Sequence, residues 1–84
     1  MSAVAEVAVT FSVGAVRDLR KLDPPVQSRI VKGINRYAKT GAGEVKRIEG
    51  RLRLRVGDWR VFFARGDDNV LEIDAILHRR EAYR

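Results

Sequence analysis

Apolar and polar residues alternate from Ala5 to Phe11, with Ala5, Val7, Val9 and Phe11 set against Glu6, Ala8 and Thr10. That period of two predicts a half-buried strand. Ser12 is placed to cap a helix running to about Leu22, with Ala15, Val16 and Leu19 turned inward. Asp23-Pro24-Pro25 breaks the pattern and opens a second helix, since proline in a first turn loses no hydrogen bond. Val26, Ile30, Val31, Ile34, Tyr37 and Ala38 form its apolar stripe, and Gly41 is the expected stop.

Beyond a glycine-containing loop the period returns to two. Val45–Ile48 reads as a short strand or the approach to one, and Leu52–Val56 alternates cleanly. Gly57-Asp58 is turn material, Trp59–Ala64 continues, and Gly66-Asp67-Asp68-Asn69 turns again before Val70–Leu77. The predicted fold is a single α+β domain of strand, helix, helix and antiparallel meander, with both helices on one face of a four-stranded sheet. The opposite face is left open.

Strand alternation then sorts the side chains. If Leu52, Leu54 and Val56 pack under the helices, Arg51, Arg53 and Arg55 lie on the open face. The reversal at Gly57-Asp58 brings Arg60 beside them, because the alternative buries an unpaired guanidinium in the core. Phe62 shares the face of Arg60, where it could stack on a base. A solvated strand face explains such a pattern too, with Asp58, Glu72 and Asp74 offsetting part of the repulsion. An anion visiting the face would offset the rest.

Composition concentrates this picture. The 84 residues carry 17 basic and 11 acidic side chains, a net charge of +6. Residues 51–60 and 78–84 hold five of those six net charges, and Arg outnumbers Lys thirteen to four. A localised zone rich in guanidinium suits a polyanion such as nucleic acid, or an acidic protein segment. Absent cysteines exclude disulfides, thiolate metal sites and cysteine nucleophiles. Neither a metal-ligand spacing nor a glycine-rich phosphate loop occurs. No apolar run approaches the roughly 18 residues of a membrane span, and no signal-peptide layout precedes the domain, so a cytoplasmic protein is expected. Trp59 reads as core or edge packing. His78 has the chemistry for proton transfer but is a lone histidine.

Three segments together resemble the RelE/ParE toxin superfamily of toxin–antitoxin modules, on its RelE side. They are Ala15-Val16-Arg17-Asp18-Leu19-Arg20-Lys21-Leu22, Arg53-Leu54-Arg55-Val56-Gly57-Asp58-Trp59-Arg60-Val61 and His78-Arg79-Arg80-Glu81-Ala82-Tyr83. They are similar to the family's a-x-x-D-L-x-K-L helix, R-x-R-x-G-D-Y-R-V hairpin and C-terminal H-R-x-x-x-Y. The resemblance implies a ribosome-dependent messenger-RNA endonuclease needing no metal or other cofactor, with a cognate antitoxin carrying an acidic or amphipathic segment as partner. Arg60 would hold the scissile phosphate, and Arg79 would stabilise charge or assist the leaving group. Tyr83 would transfer a proton or stack on a base, and Arg53 and Arg55 match the family's basic pair. Arg51, Phe62, His78 and Arg80 are the accompanying RNA-binding candidates. Known members carry lysines at Arg53 and Arg55, and a guanidinium is a poor general base, so proton transfer falls to Tyr83 or His78. The alternatives are a ParE-like inhibitor of DNA gyrase acting by binding, and a silent homologue that only binds its antitoxin.

Overall fold

The computed structural model describes residues 7–67 and 69–82. The beginning of the first predicted strand, Asp68 and Tyr83 lie outside them. Strand β1 (Ala8–Phe11) leads through Ser12 into α1 (Val13–Arg20), and Asp23 precedes α2 (Pro24–Thr40). Strands β2 (Glu44–Ile48), β3 (Arg51–Val56), β4 (Trp59–Arg65) and β5 (Val70–His78) follow, and a short α3 (Arg79–Ala82) ends the described chain. Local chemistry accounts for the boundaries. The Ser12 hydroxyl accepts from the Ala15 N–H at 3.0 Å, closing one of the open donors of the first turn. Gly41 takes the left-handed conformation at φ 74° and returns its N–H to the Tyr37 carbonyl at 2.8 Å.

The sheet has five strands rather than the four expected, in the order β1-β5-β4-β3-β2. The short Val45–Ile48 segment pairs fully along β3, from Glu44 opposite Arg55 to Ile48 opposite Arg51. β1 joins the far side of β5 in parallel, so the chain crosses the sheet by way of both helices. The remaining pairs are antiparallel, as the meander predicts.

Both helices cover one face. Ala15, Ile30 and Ile34 are buried against Leu54, Val61, Phe63, Leu71, Ile73 and Ile76, with Val9, Phe11, Tyr37, Leu52, Val56 and Trp59 packed around them. The Tyr37 ring meets Phe63 edge-on at 5.4 Å. Helix and sheet approach closely enough that a Cβ on Gly33 would lie 2.9 Å from Val56 Cγ2.

β1 pairs with β5 only as far as Phe11 opposite Ile73. Past that point the helix side chains take over the edge. Ser12 Oγ donates to the Asp74 carbonyl at 2.9 Å, and Asp18 Oδ2 accepts the Ile76 N–H at 3.0 Å. Asp18, within the helix segment singled out in the sequence, thus satisfies a strand donor that has lost its neighbour strand.

Candidate nucleic-acid groove

The register of β2, β3 and β4 builds two rows on the face away from the helices. In one row Lys46 lies opposite Arg53, and Arg53 opposite Phe62. In the next, Glu44 lies opposite Arg55, and Arg55 opposite Arg60. Arg53, Arg55 and Arg60 therefore share one face, as the alternation predicts. With Gly43, Glu44, Val45 and Lys46 they line a groove of about 500 Å³.

Arg55 and Arg60 stand directly opposite on neighbouring strands, an arrangement that repels unless offset. Glu44 takes up part of the Arg55 charge, with Oε2 at 3.4 Å from Nη1. Arg60 turns back over the hairpin, where its Nη1 donates to the Gly57 carbonyl at 2.9 Å and the Trp59 carbonyl at 3.1 Å. The open face is thus less open than the pattern implied. Arg60 is only 5% exposed and Arg53 9%, while Arg55 keeps 58% of its side chain exposed. Arg60 lies on the expected face, but the expectation that this face leaves it open to solvent is corrected.

Three further candidates are placed differently from expectation. Arg51 ion-pairs with Asp74 at 2.6 Å, and its guanidinium lies 4.7 Å above the Phe62 ring. Phe62 shares the arginine face, as expected, but is buried at 8% beneath that cation and offers no uncovered ring for base stacking. His78 pairs with Trp59 across β4 and β5, and alternation puts both on the helix side, opposite to Arg60. Its ring meets Trp59 edge-on at 5.2 Å, and its Nδ1 accepts the Arg80 N–H at 3.3 Å. Strand pairing therefore separates His78 from the groove.

The C-terminal arginines enter by a different route. The Asp58 carbonyl accepts the Arg79 N–H at 2.8 Å, and the Asp58 carboxylate lies 3.8 Å from Arg79 Nε. The turn that shapes the hairpin thus holds the start of α3 beside the Arg55/Arg60 end of the sheet. Arg79 and Arg80 are both exposed there. Lys46 and Glu44 are the groove residues that sequence reasoning missed. The signal was present in the alternation of Val45 with Lys46, but was ambiguous while β2 lacked an assigned register. Among the described residues, no group of three or more His, Cys, Asp or Glu could hold a metal ion, and no helix is long and apolar enough to cross a membrane.

The family model for the ParE toxin of type II toxin–antitoxin systems matches residues 9–83, nearly the whole chain. The chain belongs to that family. It is a toxin of a type II toxin–antitoxin system within the RelE/ParE superfamily. No protein of curated function matches its sequence significantly. Among solved structures, the toxin is similar to a chain of the archaeal RelE–RelB complex from Pyrococcus horikoshii, with TM-score 0.75 and 21% identity over 88% of this chain and 96% of that one. A chain of the RelB–RelE complex of Methanococcus jannaschii gives 0.70 and 23%, covering 88% and 94% respectively. A chain of the RelBE2 complex of Mycobacterium tuberculosis gives 0.70 and 27%, covering 88% and 99%. These likenesses bear out the expected α+β fold, the sheet here having five strands rather than four.

Proposed function

We propose that this toxin is a metal-independent endoribonuclease that cleaves messenger RNA on the ribosome. The observation that carries the reading is the convergence of Arg53, Arg55 and Arg60 on one groove, with Arg79 held at its end by Asp58. In the proposed step the 2′-oxygen bonds to the adjacent phosphorus as the bond to the 5′-oxygen breaks. The 2′-hydroxyl proton passes to a base and the departing 5′-oxygen takes up a proton, leaving a 2′,3′-cyclic phosphate and a 5′-hydroxyl. Charge builds on the phosphoryl oxygens in between, and preorganised cations stabilise such a state strongly. Arg60 suits the scissile phosphate because its hydrogen bonds to Gly57 and Trp59 fix the guanidinium in advance. Arg53 and Arg55 flank it, Arg79 assists the leaving oxygen, and Arg51 and Arg80 steer the RNA.

A guanidinium does not give up its proton, so none of these arginines accepts the 2′-hydroxyl proton. His78 lies on the other side of the sheet. Proton transfer is therefore assigned to Tyr83, by its position in the C-terminal motif. The proposed partner is a cognate antitoxin, as for the RelB-bound relatives, and the proposed compartment is the cytoplasm.

A second reading is kept because the matching family model is that of the ParE toxin: the gyrase inhibitor acting by binding that the resemblance offers as an alternative. One pair of assays separates the two. The purified toxin is incubated with messenger-programmed ribosomes and cuts are mapped by primer extension, while gyrase supercoiling is followed in parallel. Cuts within the message with supercoiling intact support the nuclease. Inhibited supercoiling with an uncut message selects the gyrase inhibitor.

A further inference from the structure

We infer that Lys46 is a phosphate-binding residue of the groove and extends the nucleic-acid site onto the third strand, β2. The inference rests on the RNA-cleaving reading and names a residue that neither the family motifs nor the basic hairpin contains.

The case begins with register. Lys46 lies directly opposite Arg53 in the β2–β3 ladder, so both side chains leave the same face. It lines the same groove as Arg53, Arg55 and Arg60. Its neighbours in β2 differ in fate. Val45 packs against the core, Glu44 is held by Arg55, and Lys46 is exposed. Arg51 and Arg79 each have a carboxylate partner, Asp74 and Asp58. Among the described residues no carboxylate lies within ion-pair distance of Lys46.

An ammonium beside several guanidinium groups, on a face that already carries like-charge repulsion, costs stability unless an anion offsets it. A phosphate does so. Strands in a sheet lie roughly 4.8 Å apart, so a single-stranded RNA laid across them meets β4, β3 and β2 in turn. Its backbone then passes Arg60, the Arg53/Arg55 pair and Lys46. Lys46 would grip a phosphate flanking the one that reacts, as a point charge that asks for no bidentate geometry.

Counterion release gives the test. Each phosphate contact on a single strand adds about −0.7 to the slope of log K against log salt, which is about fivefold in affinity at 0.1 M salt. Binding of a short single-stranded oligoribonucleotide is measured by fluorescence anisotropy from low to moderate salt, for the wild type, Lys46→Gln, Lys46→Arg, Arg55→Gln and Lys32→Gln. Lys32 is exposed on α2, on the helix side, and controls for net charge alone. The expected result is a roughly fivefold loss and a shallower slope for Lys46→Gln, recovery in Lys46→Arg, and no change in Lys32→Gln. If Arg55→Gln weakens binding while Lys46→Gln matches the wild type, the Lys46 assignment is overturned and the RNA groove stands. If Lys46→Gln and Lys32→Gln weaken binding equally, net charge is the cause and the assignment fails. If the wild type binds no RNA at all, the groove reading and the Lys46 assignment fall together.

Discussion

Arg51 reaches across the whole of β4 to place a guanidinium nitrogen 2.6 Å from a carboxylate oxygen of Asp74, two strands away, and on the way roofs the Phe62 ring at 4.7 Å. The β4–β5 register slips between Phe62 and Phe63, leaving Asp74 as the extra residue of a bulge. The bulge therefore sets both the ion pair of Arg51 and the cover over Phe62.

Replacing Asp74 by Asn removes the carboxylate while keeping its size. Both partners are about half exposed or more, so stability should fall by no more than about 1 kcal/mol. Affinity for single-stranded RNA should rise a few-fold, because the charge with which Arg51 steers the RNA is then no longer offset by a carboxylate. Urea midpoints and anisotropy titrations check the two effects independently.

Arg60→Ala should cost about 1–3 kcal/mol, since two carbonyls at the hairpin lose a charged donor within a buried setting. A sequence-only view of Arg60 as an exposed cation predicts almost no change. Equilibrium urea unfolding distinguishes them.

Asp18→Ala should destabilise by about 1–3 kcal/mol by stranding the Ile76 N–H on the stretch of β5 that β1 leaves unpaired beneath α1. Asp18→Asn retains an acceptor oxygen and should lose less than half as much. Hydrogen exchange at the Ile76 amide gives the local readout, accelerated in the alanine variant.

Gly33→Val should cost roughly 1–3 kcal/mol by overpacking, because Val56 is β-branched and held in the strand beneath. The effect reaches the site as well as the fold, since Val56 alternates with Arg55 on β3. Urea unfolding measures the first consequence and RNA affinity the second.

Much of this architecture is legible in the chain itself. Ser12, Pro24-Pro25 and Gly41 announce the helices because capping and breaking are local chemistry. Leu52, Leu54 and Val56 declare the buried face of β3 because one side of a half-covered strand must be apolar. What stays hidden is set by distant partners. Whether Val45–Ile48 forms a strand depends on β3 offering it an edge. Phe62 looks like a stacking platform until Arg51 is seen to cover it from the neighbouring strand. His78 reads as a groove residue because it adjoins Arg79 in sequence, yet pairing with Trp59 sends it to the other side. The burial of Arg53 and Arg60 is equally a matter of neighbours.

The groove arginines are tested most directly by single-turnover cleavage of messenger RNA on programmed ribosomes, comparing the wild type with Arg60→Gln and Arg53→Gln at temperatures where melting curves show all three folded. Loss of one charge-stabilising donor should lower the cleavage rate about 100-fold or more for Arg60→Gln, with a smaller loss for Arg53→Gln. Cleavage at the wild-type rate by both folded variants would contradict the account.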